Sequence, residues 1–247
     1  MAITTAARTA LRLTGHEGLA LLHRLSTNAL LDLPEGAARA TLFCDFRGRL
    51  LHRAHVLHAP GGALWLLRGD ADGGALAAFV DRFVFREDVS LEDRSSGFDW
   101  TIEGVAWGEP LEEHERISRG LPRHGAEIAD AFNPFEVNLA HEVHLAKGCY
   151  TGQEALQRLV TYDSVRRRLV RLAGGGSVPA APAEVLAAGA EPGRESGVLT
   201  SAARQPAGGW VALATVRHDA TGALHLADGT PLGEPFEFPV QRPQGRP

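Results

Sequence analysis

The chain has no apolar run near the ~20 residues needed to cross a bilayer. Its 247 residues include two cysteines and one methionine. Cys44 and Cys149 form no CxxC pair and have no metal-ligand spacing. That fits a reducing compartment better than a disulfide scaffold. Two thiols also fall short of the about four that hold an iron–sulfur cluster, and no metal site is expected. Charge of one sign is not in excess. Against 25 Lys and Arg stand 30 Asp and Glu, for a net of −5, which argues against general nucleic-acid binding. The opening Met1-Ala2-Ile3-Thr4-Thr5 has neither the basic start nor the apolar core of a secretory signal. A cytoplasmic protein without membrane contact is therefore expected. The hydrophobic content of 44% is enough for a core, and the length suits one or two domains of roughly 100–200 residues each.

Periodicity supplies the elements. Leu19, Leu22, Leu25, Ala29 and Leu30 recur at helical spacing over 14–33, with Ser26-Thr27-Asn28 ending one helix and starting a short second one. Residues 39–68 predict a β-meander turning at Arg47-Gly48-Arg49 and at Pro60-Gly61-Gly62, with Cys44 packed in a strand. His52, His55 and His58 invite a metal reading, but along a strand only 52 and 58 share a face, so no three-ligand site follows. Leu76, Phe79, Val80 and Phe83 predict a helix over 71–85 capped by Asp72, and 82–93 a returning strand. Loop and strand are expected over 95–109, then a helix from Glu113 to Arg119 ended by Gly120 and Pro122. Of Arg166, Arg167 and Arg168, the first and third share a strand face, which suggests a solvated edge. The Gly- and Pro-rich 172–183 lacks the Gly-Lys-Ser/Thr of a phosphate loop. Short strands at 184–186, 197–201, 209–216, 223–226 and 236–240 predict a small all-β part, and 241–247 a loose tail.

One stretch carries chemistry: Lys147-Gly148-Cys149-Tyr150-Thr151-Gly152-Gln153-Glu154. A polar, extended approach (141–146) precedes it and a helical stretch with apolar residues at 155, 156, 159 and 160 follows. Two glycines four apart permit unusual backbone conformations or close approaches. Thr151 is a candidate cap. Lys147 and the helix start together would lower the pKa of a thiol between them, in a setting that suits an anionic or amide-rich ligand. The plainer alternative is a strand-to-helix turn with a buried cysteine.

This octapeptide resembles the signature of the YgfZ family of folate-binding proteins, relatives of the glycine-cleavage T-protein, GcvT, an aminomethyltransferase. The resemblance extends to Arg116…Gly120-Leu121-Pro122, to Asn133-Pro134-Phe135-Glu136-Val137-Asn138-Leu139, to Tyr162…Val165…Arg167…Leu169 and to Gly197-Val198-Leu199-Thr200-Ser201. It implies an α+β fold, a ring of subdomains around a central cavity with a C-terminal small β-barrel. A folate-binding region would occupy 1–163, with two interleaved subdomains as one form of it, and the barrel 164–247. The cofactor implied is tetrahydrofolate or another reduced folate. Glu136 would accept two bonds from the pterin's amino-pyrimidinone edge. Arg116 or Lys147 would grip the anionic tail, Asn28 and Gln153 would line the site, and Cys149, with Lys147, would be the functional thiol. Partners would be reduced folate and iron–sulfur client or assembly proteins. Longer relatives carry more sequence over 95–109.

One departure bears on activity. T-proteins place an Asp pair, one member catalytic, where alignment on Gly48 puts His52 and Arg53. Neither is a carboxylate, which speaks against aminomethyl transfer. Three functions remain in view: an accessory protein in iron–sulfur assembly or repair, a folate-dependent methyl- or aminomethyltransferase, and a scaffold that has lost the ligand.

Overall fold

The computed structural model describes residues 8–98, 101–102, 105–106, 111–188, 195–220 and 222–245. The chain divides into two compact units, and neither is contiguous in sequence. One comprises Met1–Pro110, Glu142–Leu156 and Pro243–Pro247, the other Leu111–His141 and Gln157–Arg242. The division therefore does not follow a single cut near residue 163.

In the first unit, β1 (Thr9–Thr14) precedes α1 (Gly18–Leu25). The meander follows as β2 (Ala38–Cys44), β3 (Leu50–His58) and β4 (Leu64–Arg68), then α2 (Gly74–Asp81) and β5 (Ser90–Asp93). The strands form one antiparallel sheet in the order β2-β3-β4-β1-β5. A separate ladder joins β6 (Thr101–Ile102) to β7 (Val105–Ala106). Of the loop and strand expected over 95–109, residues 99–100, 103–104 and 107–109 lie outside the described residues.

The sheet's two faces differ because strand side chains alternate. One face buries Leu11, Leu13, Phe43, Ala54, Val56 and Leu66 against Leu21, Leu22 and Leu25 of α1 and Leu76, Phe79 and Val80 of α2. The other carries Ala10, Leu57, Leu67 and Trp65, with Phe98 packed on them. The register sets His55 opposite Leu67 on that second face.

Both helices are shorter than their periodicity suggests. Helix α1 stops at Leu25 because the Ser26 hydroxyl turns back to the Leu22 carbonyl at 2.7 Å, and Ser26 takes an extended backbone. No second helix follows; Thr27 and Asn28 instead bond to β2. The Asp72 carboxylate accepts the N–H of Gly74 at 3.0 Å, from one position before the N-cap, which is Gly73 rather than Asp72. The returning strand after α2 is confined to β5.

In the second unit, α3 (Glu113–Ser118) ends in a two-bond cap, with Gly120 N–H on the Ile117 carbonyl and Leu121 N–H on that of Arg116. A 3₁₀ turn spans Ala140–Glu142. Helix α4 (Gln153–Thr161) contains the residue at which the units divide. The remaining strands are β8 (Arg167–Gly174), β9 (Ala183–Ala187), β10 (Gly197–Arg204), β11 (Trp210–Arg217), β12 (Leu224–Leu226) and β13 (Phe236–Glu237). They form a six-stranded antiparallel sheet in the order β12-β9-β10-β11-β8-β13. Among the described residues β12 and β13 do not pair with each other, so the sheet forms a half-barrel where a small barrel is expected. Its core gathers Val170, Leu172, Val185, Leu199, Trp210 and Ala212 on one face. Ile117 of α3 packs with Leu169, Val211 and Leu213 on the other.

The expected loose tail is fastened through Gln244. It donates its backbone N–H to Val143 O at 2.8 Å and accepts from Leu145 N–H at 2.9 Å. No helix among the described residues is long and apolar enough to cross a membrane.

Candidate functional site

The Lys147–Gly152 loop lies in the first unit and is held at both ends. At its start, Lys147 Nζ donates to the carbonyl of His23, one of the last carbonyls of α1 and without a helical partner of its own. His23 completes the clasp. Its Nδ1 accepts the N–H of Leu30 at 3.0 Å, which leaves Nε2 as the protonated nitrogen, and Nε2 meets the Lys147 carbonyl at 3.0 Å. Burial lowers the His23 pKa. Burial also brings the Lys147 amine down to about 7, and its nitrogen lies 5.0 Å from the centre of the Tyr150 ring. The cation foreseen beside Cys149 is thus committed to the end of α1.

At the other end, Gly152 has φ +83°, and a Cβ there would lie 2.5 Å from the Asp45 carbonyl. Only glycine permits that approach. Asp45 itself is fixed in the β2–β3 turn, where its Oδ1 accepts the N–H groups of Arg47 and Arg49, both at 2.8 Å. Gln153 opens α4, the position before it being Gly152 rather than Thr151, and its side-chain amide donates to Leu145 O at 3.0 Å.

Between these anchors the thiol of Cys149 is exposed, and Gly148, at φ +108°, faces open space. The plainer reading of a buried signature cysteine therefore fails. The buried thiol is Cys44, whose pKa burial and then Asp45 push up. Tyr150 faces inward; its hydroxyl is buried without a hydrogen-bond partner, and burial raises its pKa.

The sheet's second face holds a polar cluster. Arg53 donates through Nε to both oxygens of Glu142 at 3.0 Å and through Nη2 to Oε1 at 2.6 Å. The Glu142 side chain is 3% exposed and that of Arg53 24%. Burial, then Arg53, hold the pKa of His55 down at about 4. The hairpin's Arg53 is thus paired with a buried carboxylate supplied from the 3₁₀ turn. Sequence reasoning missed Glu142 because it lies 89 positions from Arg53. His52 sits on the opposite face, its ring centre 5.7 Å from that of Phe79. No group of three or more metal-ligating side chains occurs among the described residues.

Asn28 is buried and internally bonded. Its amide nitrogen donates to Ala40 O at 2.9 Å and its oxygen accepts Ala29 N–H at 2.9 Å.

Glu136 and Arg116 lie in the second unit. Arg116 is a clamp: Nε and Nη2 grip Glu113 at 2.9 and 2.8 Å, while Nη1 reaches Leu121 O and Glu127. Glu127, fully buried, also accepts the hydroxyls of Thr200 at 2.5 Å and Ser201 at 2.7 Å. These bonds occupy the guanidinium expected to grip a ligand tail.

Glu136 is 5% exposed. Its Oε2 accepts the N–H of Asn133 at 3.1 Å, and the Asn133 side chain in turn accepts from Phe135 and Glu136. Arg167 Nε lies 4.0 Å from Oε1. Arg168, one residue on, pairs with Glu237 on the other face of β8.

No protein-family model matches the chain. Over 97 residues it is 38% identical to a chloroplastic protein of Arabidopsis thaliana whose transferase name is provisional; the match covers 39% of this chain and 20% of that one. The chain thus matches about a fifth of that relative's length. The crystal structure of the glycine cleavage system aminomethyltransferase T of Bartonella henselae matches with a TM-score of 0.69. The match covers 93% of this chain and 86% of that one at 13% identity. The chain has the α+β fold of that aminomethyltransferase.

Proposed function

We propose that this chain binds a reduced folate and serves as an accessory protein in iron–sulfur cluster assembly or repair, with Cys149 as its functional thiol. The observation that carries the reading is the Lys147–Gly152 loop, which holds Cys149 exposed between two rigid anchors. A loop with only a packing role has no need to present a thiol to solvent, and the buried Cys44 shows what such a thiol looks like in the same unit.

A carboxylate acceptor in the second unit supports a folate ring as the ligand. Glu136 is a nearly buried carboxylate beside an arginine, and an ionised carboxylate accepts from two N–H groups at once. Glu136 would hold the amino-pyrimidinone edge. A bound reduced folate supplies a carrier for one-carbon units through the nitrogens of its reduced ring. Arg116 and Lys147 already have internal partners, so they are assigned structural work, and Gln153 and Asn28 support the loop and the strand beside it.

Calorimetric titration of tetrahydrofolate into the wild type and Glu136→Ala tests the cofactor. Binding by the wild type and loss in the variant are expected; no binding by the wild type would favour a scaffold without ligand. Cys149→Ser should retain folate binding but fail to support iron–sulfur enzymes in cells lacking the protein. Full support by that variant would end the thiol's role.

Aminomethyl transfer is the second reading, favoured by the shared fold. Arg53 stands against it, because it occupies a position where a carboxylate is expected and engages both oxygens of Glu142. Single-turnover transfer of a labelled one-carbon unit to tetrahydrofolate would revive it.

A further inference from the structure

Two exposed apolar side chains are tied to the two ends of the Cys149 loop. Leu31, 63% exposed, sits in a turn closed by the Leu33 N–H on the Leu30 carbonyl at 3.0 Å. Leu30 and Leu33 are core residues, so the turn is pinned at both ends. Leu30 also gives its N–H to His23 Nδ1, and the other nitrogen of that imidazole meets the Lys147 carbonyl. One ring thus joins the turn of Leu31 to the start of the thiol loop. Phe46, 73% exposed, sits in the β2–β3 turn, closed by the Gly48 N–H on the Asp45 carbonyl at 3.0 Å. Gly152 packs on that same carbonyl, which joins the turn of Phe46 to the end of the loop. Arg47 is exposed, its guanidinium carbon 5.2 Å from the centre of the Phe46 ring. Among the described residues no carboxylate pairs with it. The acids of both turns are already engaged: Asp32 pairs with Arg39 at 2.6 Å, and Asp45 accepts two backbone N–H groups.

We infer that Leu31, Phe46 and Arg47 frame Cys149 as a docking surface for a protein segment that carries carboxylates beside apolar side chains. The inference rests on Cys149 as the functional thiol and names the chemistry of the partner that it meets. A lone exposed apolar side chain is ordinary. Here two of them, each on a closed turn, flank one exposed thiol. Turns already fixed before contact lose little freedom on binding, which favours association. Aromatic residues and arginine are also types enriched where proteins meet. The charge of Arg47, without an internal acid, selects a partner that brings one. A nucleic acid would need many such cations, and the chain carries a net charge of −5.

The probes are blocked peptides whose central cysteine is a pyridyl disulfide: Asp-Leu-Cys-Leu-Asp, Lys-Leu-Cys-Leu-Lys and Asp-Ser-Cys-Ser-Asp. The Cys149 sulfur attacks the peptide sulfur, the new disulfide forms, and pyridinethione leaves with the proton. Its absorbance gives the rate on the full chain, and the buried Cys44 stays silent. Dipyridyl disulfide, small and neutral, normalises each rate for the thiol itself. At low salt the wild type should react about fivefold faster with the acidic leucine peptide than with the basic one, the upper end for one exposed charge pair. Salt at about 1 M should erase that difference. Arg47→Gln should abolish the preference, and Arg47→Lys should keep it. Leu31→Ser with Phe46→Ser should slow the acidic leucine peptide about fourfold, the worth of about one buried CH₂, and leave the serine peptide unchanged. All three side chains are exposed, so these variants should keep the fold, which circular dichroism checks. Equal normalised rates for the three peptides would overturn the docking surface alone. A Cys149 inert even to dipyridyl disulfide would remove the exposed thiol on which both readings stand. Protection of Cys149 by a mixed-sequence oligonucleotide, or disulfide dimers of the chain forming ahead of peptide adducts, would assign the surface to another occupant and overturn the inference.

Discussion

Removing Arg53 tests the buried pair on the second face of the first sheet. In Arg53→Ala the Glu142 carboxylate, 3% exposed, loses three N–H contacts at 2.6–3.0 Å. Breaking a buried pair from one side costs about 3–5 kcal/mol, because the remaining charge is left uncompensated. Arg53 is itself a quarter exposed, so water enters the vacated space and the lower figure, about 3 kcal/mol, is expected. For a chain of this length each kcal/mol moves Tm by about 2–4 °C, which gives a fall of about 6–12 °C. The double variant Arg53→Met, Glu142→Leu should recover most of this loss, since apolar replacement of a buried pair is often neutral. Thermal unfolding followed by circular dichroism measures all three proteins. A second readout is local: His55, held at about 4 by burial and then by Arg53, should titrate at higher pH in Arg53→Ala, observed by NMR. A loss below about 1 kcal/mol, with the His55 titration unmoved, would refute the buried pair.

Gly152→Ala should destabilise more than Gly148→Ala. Both have positive φ, but only Gly152 would press a Cβ against the Asp45 carbonyl; equal losses in urea melts would contradict that contact. A chromogenic disulfide reagent should titrate one thiol, Cys149, in the native protein and a second, Cys44, only on unfolding; two fast thiols would show that Cys44 is not sealed in the core. Lys147 has a folded pKa near 7 against its ordinary 10.5, so between those values the unfolded chain binds more protons. Stability should therefore rise with pH from about 7 towards 10, and Lys147→Met should flatten that rise. A slope unchanged by the substitution would place the amine in water.

Local patterning made much of the fold legible. The hairpin of β2 and β3, the end of α3 at Gly120 and the strand sequence of the second sheet follow from alternation, glycine and proline. Strand β1 went unread because Thr9–Thr14 is short and lies beside the N-terminal stretch, yet it pairs between β4 and β5. The helical span of 14–33 was overdrawn because Leu30 and Leu33 do enter the core, but from a loop. Around the proposed site, sequence singles out Glu136, Cys149 and the loop glycines by residue type alone. It did not supply Glu142, His23 or Arg167, whose significance depends on partners 89, 124 and 31 positions away. Lys147 and Arg116 illustrate the same limit of local pattern: a cation's type is written in sequence, but the internal acceptors it takes are not.

The Gln244 strap has a consequence for synthesis. Its backbone bonds go to Val143 and Leu145, about 100 residues upstream, and contacts of such separation form slowly because the intervening chain must first be ordered. During translation the approach to the Cys149 loop emerges long before the segment that pairs with it. The first unit thus waits, unfinished at this edge, while the ribosome makes the later, larger segment of the second, Gln157–Arg242. Until then the Val143 carbonyl and the Leu145 N–H lack the Gln244 backbone that pairs with them in the finished chain. A nascent chain stalled before residue 243 would display the thiol loop on an unfastened support, and protease sensitivity around 141–146 would report when the strap closes.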